Sequence, residues 1–593
     1  MTPITLPGDS PEGYLAAAPG TQILDQNGGT WTKVSGISST GWRSADDSTE
    51  TPTLTVPTVA AMQVLIDAGS QAIGQLYYIE ADRSTRRYEG GSLSTIINDY
   101  PQLNPEGYAT MTSVKTSNIT ATVQHDGTGG ATGICYSVDG GTPVYQANGA
   151  ATNTSLSIPH KQGAPINIAI WPASSATSGL KGNMTRLELF GDQLTSFNGA
   201  GLSALTYLNL SSNRLTSFNE TGLTALTYLN LFSNQLTSFN GAGLSAVTNL
   251  NLYSNRLTSF NGTGLSAVTY LNLFNNKLTS FNGAGLSALT FLNLFNNNLT
   301  SFNGAGLSAL TDLYLDSNNL TSFNGAGLTA LTELRLNSNQ LTSFNGAGLT
   351  ALTELRLDSN QLTSFNGTGL TAVTYLHLGN NKLTSFNGTG LSALNTLHLI
   401  SNQLTSFNGT GLTALEYLNL SNNQLTSFNG TGLSALNTLY LTNNNLTSFN
   451  GTGLTTVTRL YLTNNQLTSF NGTGLSALNT LNLSSNQLTS FNGAGLTAVT
   501  LLTLDNNQIS SFIVGELQLY DVYSYYLALN LINQQLDAAA IQQIYDDLPD
   551  GTSYGGSYPN TIDVTGNPGA GIGSGTTPAT ATAQGWIVVG DTL

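Results

Sequence analysis

Apolar and polar positions recur along the middle of the chain with a period of 21 residues. Residues 203–223 read SALTYLNLSSNRLTSFNETGL, and residues 224–244 read TALTYLNLFSNQLTSFNGAGL. One column holds phenylalanine in sixteen consecutive copies, from Phe197 to Phe512, and every copy carries an L-x-L core before it. A fixed period of this length predicts a solenoid in which each copy forms one coil. The coils are numbered 1 to 16 in chain order.

Each L-x-L core predicts a short strand, because alternate residues of a strand face opposite sides. In coil 2, Leu208 and Leu210 are predicted to face inward, while Tyr207 and Asn209 face outward. An asparagine follows three residues after the second leucine in fifteen of the sixteen copies, and coil 1 has Asp192 there instead. This asparagine column is predicted to be buried, so its amides need hydrogen-bond partners.

The resulting pattern, L-x-L-x-x-N-x-L, resembles the leucine-rich repeat family over residues 184–512. The resemblance implies an amide ladder, in which each asparagine side chain bonds the backbone of its own coil and of the next. The N-G-x-G stretch of each copy supplies turn residues that tolerate positive φ. A single coil buries too little apolar surface to fold alone, so stacking between coils must stabilise the solenoid.

The N-terminal part contains GTQILDQNGGTWTKVSG at residues 20–36, where short apolar stretches alternate with turn residues. This run resembles segments of phage tail-fibre and other virion proteins, and it predicts a β attachment segment over residues 1–50. Residues 51–105 are predicted to form a small α/β domain, with a helix over 58–69 and a hairpin over 75–89. The same combination resembles phage fibre regions, which implies contact with other virion proteins.

Residues 106–183 alternate in the manner of strands and predict an immunoglobulin-like β-sandwich that acts as a spacer. Residues 513–593 are predicted to cap the solenoid, with a helix over 536–552 and strands near 561–570 and 585–591. This order resembles the C-terminal ends of bacterial and phage leucine-rich repeat proteins. The predicted fold class is therefore mainly β: a leucine-rich repeat solenoid of sixteen 21-residue coils with small N-terminal β and α/β domains, a β-sandwich and a C-terminal cap.

The amino-acid composition excludes several classes of function. Charged residues make up 8% of the 593 residues and the formal net charge is −16, which argues against binding of nucleic acid. The single cysteine, Cys135, excludes an intramolecular disulfide framework. No apolar run is long enough to predict membrane insertion. The first twenty residues have neither a basic segment nor an apolar segment, which predicts that no Sec-type signal peptide is present.

Three outward columns of the strands vary between copies, whereas the interior columns barely change. Coils 2 to 6 carry a Tyr/Phe column, an Asn column and a second Tyr/Phe column side by side. Such a surface suits a sugar, whose C–H face stacks on a ring while its hydroxyls bond to amides. The alternative is that these residue types merely suit strands and spread by copying. The candidate ligand-binding residues of this aromatic patch are Tyr207, Tyr228, Asn230, Phe232, Tyr253, Tyr270, Asn272, Phe274, Phe291 and Phe295.

Coils 7 to 10 carry a charged patch on the same columns. Its candidate ligand-binding residues are Glu333, Arg335, Glu354, Arg356 and His377, and it also contains Asp312, Asp316 and Asp358. Ordinary cross-strand pairs of glutamate and arginine are the alternative explanation.

Catalysis and metal binding are not predicted. Glu333 and Glu354 are expected about 5 Å apart, close to the carboxylate separation of retaining glycosidases. However, the sheet is open, and the neighbouring arginines favour the ionised form of both carboxylates over a proton donor. His377 and His398 are predicted to be neighbours without a well-placed third ligand. The sequence therefore predicts a protein that is not an enzyme and needs no metal or cofactor.

These observations predict a virion fibre of a tailed phage that binds a host cell-surface glycan or protein through the outward face of the repeats. Its location would be the virion, with the N-terminal region attached to other virion proteins. A homotrimer, as in many phage fibres, is left open. The alternatives are a bacterial surface adhesin at the cell surface or outside the cell, and a structural decoration fibre that binds nothing.

Overall fold

The computed structural model describes residues 109–115, 117–159, 166–175, 183–517, 529–548, 560–570, 578–584 and 586–591, and the backbone of eight earlier strands. The chain divides into two compact units, Met1–Gln235 and Leu236–Leu593. The helix predicted over 58–69 lies outside the described residues, and the predicted domain boundaries stay predictions.

The eight earlier strands of the first unit form two four-stranded sheets. The first sheet is ordered β1 (Ile4–Leu6), β2 (Gln22–Asp25), β3 (Thr30–Lys33) and β4 (Trp42–Ser44). The second is ordered β5 (Leu54–Val56), β6 (Leu76–Ile79), β7 (Ser84–Tyr88) and β8 (Leu93–Ile97). The antiparallel pairing of β6 with β7 confirms the hairpin predicted over 75–89.

Antiparallel strands and a 3₁₀ turn at Thr128–Gly130 follow in the first unit. The strands are β9 (Ala109–Ser113), β10 (Ile119–His125), β11 (Gly133–Val138), β12 (Val144–Ala147), β13 (Thr154–Ile158) and β14 (Ile166–Ala173). In β13, alternate residues are buried, as a half-buried sheet requires. Cys135 is fully buried in a core cluster with Trp171, and burial raises the pKa of its thiol to about 11. Cys135 is therefore an apolar core residue and not a reactive thiol.

The first coil of the solenoid is joined to these antiparallel sheets by two strands, β15 (Met184–Glu188) and β16 (Leu194–Asn198). β15 pairs antiparallel with β10, and β16 pairs antiparallel with β9. On its other side β15 pairs in parallel with β17 (Tyr207–Asn209), which in turn pairs with β18 (Tyr228–Asn230). Coil 1 therefore presents no open strand edge at β15, because β10 covers it.

Asp192, the one exception in the asparagine column, lies at this junction and is fully buried. Its carboxylate accepts a hydrogen bond from the Lys115 ammonium at 2.5 Å and another from the Thr120 N–H at 3.2 Å. The other asparagines of the column donate to carbonyls of a preceding coil. Coil 1 has no preceding coil and meets donors instead, which is why an acceptor-only carboxylate stands there.

The second unit contains the remaining strands, most of them three residues long, and each of its regular coils has one L-x-L strand. They are β19 (Ser238–Asn240), β20 (Asn249–Asn251), β21 (Ser259–Asn261), β22 (Tyr270–Asn272), β23 (Phe291–Asn293), β24 (Asp312–Tyr314), β25 (Glu333–Arg335), β26 (Glu354–Arg356), β27 (Tyr375–His377), β28 (Thr396–His398), β29 (Tyr417–Asn419), β30 (Thr438–Tyr440), β31 (Arg459–Tyr461), β32 (Thr480–Asn482), β33 (Ser490–Asn492), β34 (Leu501–Thr503), β35 (Ser511–Ile513), β36 (Leu529–Asn530), β37 (Asn560–Asp563) and β38 (Trp586–Val589). The L-x-L strands pair in parallel and in register, so equivalent residues of neighbouring coils lie side by side. Short parallel pairs, β19 with β21 and β33 with β35, lie outside this sheet.

The predicted asparagine ladder is present, with one correction to its direction. The side-chain amide of Asn297 donates to the carbonyl of Leu294 in its own coil and to that of Leu273 in the preceding coil, at 3.1 and 3.0 Å. Its Oδ1 accepts from the N–H of Leu278, also in the preceding coil, at 3.0 Å. The ladder thus links each coil to the one before it, whereas the family resemblance implies bonds to the coil after it.

Positive backbone angles recur where the turns need them. The residue before each ladder position is left-handed, as at Ser254 and Asn275, where φ is 54° and 55°. Asparagine and serine tolerate this region through their short polar side chains. The second glycine of N-G-x-G has a φ of 93° at Gly264, a conformation that glycine adopts without strain.

The C-terminal segment continues the parallel sheet of the second unit. The predicted helix is α1 (Ala538–Asp547), the predicted strands are β37 and β38, and a short α2 (Ala579–Ala583) precedes β38. Gln534 and Asn567 extend the ladder: their amides donate to Leu504 and Leu531 at 2.7 and 2.8 Å. The segment therefore contains two degenerate coils after the sixteen regular ones. Across the described residues, no helix is both long and apolar enough to cross a membrane.

Candidate functional site

The outward face of the parallel sheet in the second unit carries three columns of side chains. The first column precedes the first leucine of L-x-L, the second lies between the leucines, and the third follows the second leucine. In coil 5 these positions are Tyr270, Asn272 and Phe274. Because β22 and β23 pair in register, each column continues from coil to coil without a shift.

Aromatic rings of coils 4 to 6 stack face to face along these columns. In the third column the ring centroids of Tyr253 and Phe274 are 4.5 Å apart and those of Phe274 and Phe295 are 4.6 Å apart, with planes within 9°. In the first column Tyr270 and Phe291 are 4.7 Å apart. Each ring is half-buried, because its neighbour covers its face.

This stacking corrects one expectation. A sugar was expected to stack its C–H face on these rings, but the faces between stacked neighbours are already in ring–ring contact. What the columns turn outward is ring edges and phenol hydroxyls.

The asparagines of the second column have a structural role that sequence reasoning missed. Asn272 Oδ1 accepts a hydrogen bond from the N–H of Phe274 at 3.1 Å, and Asn293 Oδ1 accepts from Phe295 at 2.9 Å. These bonds satisfy backbone donors just beyond each short strand. The carbonyl end of each amide is therefore occupied. The NH2 group of Asn272 donates to the Tyr270 hydroxyl at 3.5 Å, and the NH2 group of Asn293 is the end suited to donate to a ligand.

The first unit holds the remaining residues of the predicted aromatic patch. The rings of Tyr207 and Tyr228 are 4.4 Å apart and parallel within 1°, and the Arg186 guanidinium lies 3.5 Å from the Tyr207 ring centroid. Burial raises the pKa of Tyr228, and Tyr207 adds to the shift. Asn230 Oδ1 accepts from the N–H of Phe232 at 3.1 Å, which repeats the pattern of the second unit.

The charged patch, in coils 7 to 10, contains ion pairs of an unexpected kind. Arg335 Nε donates to Glu333 Oε1 at 2.6 Å, and Arg356 Nε donates to Glu354 Oε1 at 2.7 Å. Both pairs join residues of one strand, whereas pairs across strands were expected. Pairs this exposed contribute at most about 1 kcal/mol to stability. Arg335 also lies 4.4 Å from the ring centroid of Tyr314, a residue outside the predicted site.

Asp316 is the buried member of the charged patch. It occupies the third column of coil 7 and is only 6% exposed. Its Oδ1 has no hydrogen-bond partner within the described residues. Burial raises the pKa of this carboxyl group to about 7, against the opposing effect of Arg335. The sequence places Asp316 on the outward face, but the burial depends on how neighbouring side chains pack and has no local signal.

His377 and His398 are neighbours, as predicted, with ring centroids 4.7 Å apart and planes within 16°. His377 Nδ1 lies 3.4 Å from Asp358 Oδ1. Burial, followed by the positive charge of Arg356, lowers the pKa of His377 to about 4. Burial and His377 itself lower the pKa of His398 to about 4. Both rings are therefore neutral near pH 7, and the described residues contain no group of three ligating side chains arranged for a metal ion.

Comparison with known proteins supports the fold. Residues 414–436 match the family model described as Leucine Rich Repeat. The structure of the Toll–Spatzle complex from Drosophila is 20% identical and matches 65% of this chain and 58% of that chain, with a TM-score of 0.52. The functional domain of InlJ from Listeria monocytogenes is 21% identical. The match covers 66% of this chain and 77% of the InlJ chain, with a TM-score of 0.44. YopM from Yersinia enterocolitica is 20% identical. The match covers 65% of this chain and 84% of the YopM chain, with a TM-score of 0.48.

No curated protein matches the sequence. The repeat pattern, the ladder and the match of coil 12 together define a leucine-rich repeat protein with the solenoid fold. Proteins of this class commonly bind ligands or other proteins, and this general property is the starting point for the function proposed below.

Proposed function

We propose that this chain is a non-enzymatic binding protein that holds a partner on the outward sheet face, across the aromatic and charged patches. One observation carries the proposal. The sixteen copies differ mainly at the outward columns of the sheet, and those columns form one continuous surface in the second unit.

Copying alone does not explain where the differences fall. Some other exposed positions are nearly invariant: the L-T-S step that contains the exposed Thr279 and Ser280 has threonine in fifteen copies and serine in all sixteen. If exposed residues drifted freely after duplication, this ridge would vary as much as the sheet face does. The column after the ladder also varies, but only among long or amide polar side chains such as Arg256, Lys277 and Asn298, whereas the sheet face changes between aromatic, acidic, basic and amide residues. Variation that is widest on one face is what selection for binding on that face produces.

The chemistry of the face favours a protein partner. Ring edges, phenol hydroxyls and amide NH2 groups in coils 4 to 6 adjoin acidic and basic side chains in coils 7 to 10. Aromatic and arginine side chains are the groups that most often carry binding energy between proteins. A host-surface glycan is the second candidate, because amide NH2 groups such as that of Asn293 suit sugar hydroxyls.

The proposed setting is the virion of a tailed phage, with the N-terminal region attached to other virion proteins and the repeats binding the host surface. The run at residues 20–36 and the β6–β7 hairpin support it through their resemblance to fibre segments. A bacterial surface adhesin, or a decoration fibre that binds nothing, are the alternatives.

Binding by the face is tested with two matched pairs of substitutions in the full chain. Tyr270→Ala with Phe291→Ala removes a stacked pair from the aromatic patch. Tyr440→Ala with Tyr461→Ala removes a pair of equal geometry, 4.4 Å apart, from coils 13 and 14. On a panel of bacterial strains, we expect the first pair to weaken cell binding by about 10- to 100-fold, which corresponds to about 1–3 kcal/mol, and the second pair to change it less than threefold. Equal effects of both pairs would remove the aromatic patch from the proposal.

The setting is tested by labelling with antibodies raised against the full chain. On tailed particles, the gold label should mark a structure that projects from the tail. Label found only in cell-envelope fractions, and never on particles, would replace the phage setting with the adhesin.

A further inference from the structure

The N-G-x-G turns carry a second repeated chemistry, separate from the outward columns of the sheet. The variable residue of this turn is threonine in six consecutive coils, 9 to 14, and alanine in coils 5 to 8. Each of the six coils therefore reads Asn-Gly-Thr, the N-x-T pattern that acceptors of N-linked sugars share. The six asparagines, all exposed and each followed by an exposed threonine, are Asn366, Asn387, Asn408, Asn429, Asn450 and Asn471.

Hydrogen bonds hold these asparagine side chains in one geometry. In coil 9, Asn366 Oδ1 accepts from the N–H of Thr368 at 3.0 Å and from the hydroxyl of the same threonine at 2.8 Å. Asn387 and Asn429 accept the same two bonds in coils 10 and 12. Within the part of the chain that the structure describes, the Nδ2 group of Asn366 donates no hydrogen bond, so the nitrogen is the end of the amide that is open to reaction.

The two bonds to Oδ1 favour reaction at Nδ2. An amide nitrogen is a weak nucleophile because its lone pair is delocalised onto the carbonyl oxygen. When the nitrogen forms a new bond and loses a proton, negative charge develops on that oxygen. Two donors that already point at Oδ1 stabilise this charge, as the donors of an oxyanion hole do.

We propose that the Asn-Gly-Thr asparagines of coils 9 to 14 are acceptor sites for N-linked glycosylation by single hexoses. The donor is a hexose that carries a nucleoside diphosphate at C1. The bond between Nδ2 and C1 forms while the bond between C1 and the diphosphate oxygen breaks. The nucleoside diphosphate leaves, and one Nδ2 proton passes to a base of the transferase. This inference is independent of the proposed function, because the sites lie outside the strands of the sheet face.

The spacing of the coils limits the size of the sugar. Asn387 pairs in parallel with Asn408, and Asn450 pairs in the same way with Asn429 and Asn471. Parallel strands lie about 4.8 Å apart, which is comparable to the width of one sugar ring. Branched oligosaccharides on successive coils would crowd one another, whereas one hexose on each asparagine fits.

The chain contains two internal controls for these sites. Asn345 in coil 8 is exposed and its Oδ1 accepts from the Ala347 N–H at 3.0 Å, but coil 8 lacks the threonine. Asn261 in coil 4 is exposed and has the full Asn-Gly-Thr sequence, but its Nδ2 group donates to Asn240 Oδ1 at 3.0 Å. Asn345 therefore tests the need for threonine, and Asn261 tests the need for an amide nitrogen that is not already bonded.

The test measures the fraction of each asparagine that carries a hexose, by peptide mass spectrometry of the full chain purified from its natural source. We expect the occupancy of Asn366, Asn387 and Asn429 to be roughly tenfold higher than that of Asn345 and Asn261. The absence of hexose from all six sites would overturn the proposal, and so would an equal occupancy of Asn345. Equal occupancy of Asn261 would overturn the role given to the unbonded nitrogen, and a longer glycan would overturn the single-hexose assignment.

Substitutions in the same source separate the Asn-Gly-Thr pattern from the rest of the coil. Thr368→Ala should remove the hexose from Asn366, whereas Thr363→Ala, at an exposed threonine of coil 9 outside the pattern, should leave it in place. Ala347→Thr gives coil 8 the missing threonine and should add a hexose to Asn345. Equal losses in the two threonine variants, or no gain in Ala347→Thr, would contradict the assignment.

Discussion

The ladder column and the third outward column run through the same coils, yet they behave in opposite ways. The ladder is asparagine in fifteen of sixteen copies, and each side chain both donates and accepts within the protein. The outward column changes from Phe295 to Asp316 to Asn337 within three coils, and Asp316 leaves an oxygen unbonded. A position is fixed where the bonds within the protein depend on its side chain, and it varies where they do not.

The largest expected effect separates an interior ring from an outward ring. Phe281→Ala should lower the free energy of unfolding by about 3–5 kcal/mol, because the side chain is 6% exposed and stacked between Phe260 and Phe302. Phe274→Ala removes an equally stacked but outward ring and should cost about 1 kcal/mol. Urea denaturation of both variants makes the comparison. Equal losses would mean that the outward stack is also part of the core.

The contribution of the asparagine ladder to stability can be measured by comparing a ladder residue, Asn297, with the exposed residue that follows it, Asn298. Asn297→Ala leaves the buried N–H of Leu278 without its acceptor and should cost about 1–3 kcal/mol, since the carbonyls of Leu273 and Leu294 keep their bonds from the neighbouring ladder amides. Asn298→Ala, one residue later and exposed, should stay within about 0.5 kcal/mol of the natural chain. Hydrogen exchange of the amides in coils 5 and 6 measures the local opening. Unchanged exchange in Asn297→Ala would show that water replaces the amide without loss.

The fold followed from the sequence because interior positions obey one local rule in every copy. L-x-L fixes the strand, and the asparagine three residues later fixes the turn. The two degenerate coils near Gln534 and Asn567 were missed, although L-x-L-x-x-Q at 529–534 and I-x-V-x-x-N at 562–567 carry the signal. Their spacing departs from 21 residues, so a search at fixed period passes over them.

The candidate face was only partly predictable. Register and alternation placed all its residues on one side of the sheet, but they do not say which way a ring tilts or where an arginine turns. The stacking of Tyr270 on Phe291 and the pairing of Arg335 with Glu333 of its own strand are choices among rotamers. The burial of Asp316 results from those choices, so no pattern in the sequence foretells it.

Asp192 sharpens the comparison because it is the one ladder position that departs from asparagine. Asp192→Asn should lower the free energy of unfolding by about 2 kcal/mol, since an amide cannot form the ionic bond with Lys115 and its NH2 group meets donors. A double-mutant cycle with Lys115→Met isolates that pair. The variants are compared by urea denaturation of the full chain. A coupling energy near zero would mean that the two side chains contribute independently.

A pH-dependent effect is expected at Asp316, the buried carboxyl group of the third outward column. Its pKa is about 7 in the folded chain against an ordinary value of 3.8, so the folded state binds more protons than the unfolded state between those limits. Stability should therefore fall as the pH rises from about 4 to about 7, and a shift of about three pKa units corresponds to a loss on the order of 4 kcal/mol. Asp316→Asn should match the natural chain near pH 4 and exceed it near pH 8. Asp505→Asn is the control, because Asp505 occupies the same column in coil 16 and accepts hydrogen bonds from Ser484 and Asn506, so this variant should not gain stability. Hydrogen exchange in coils 6 to 8 at both pH values measures the difference. If Asp316→Asn is no more stable than the natural chain at pH 8, the carboxylate is already satisfied and its raised pKa cannot be maintained.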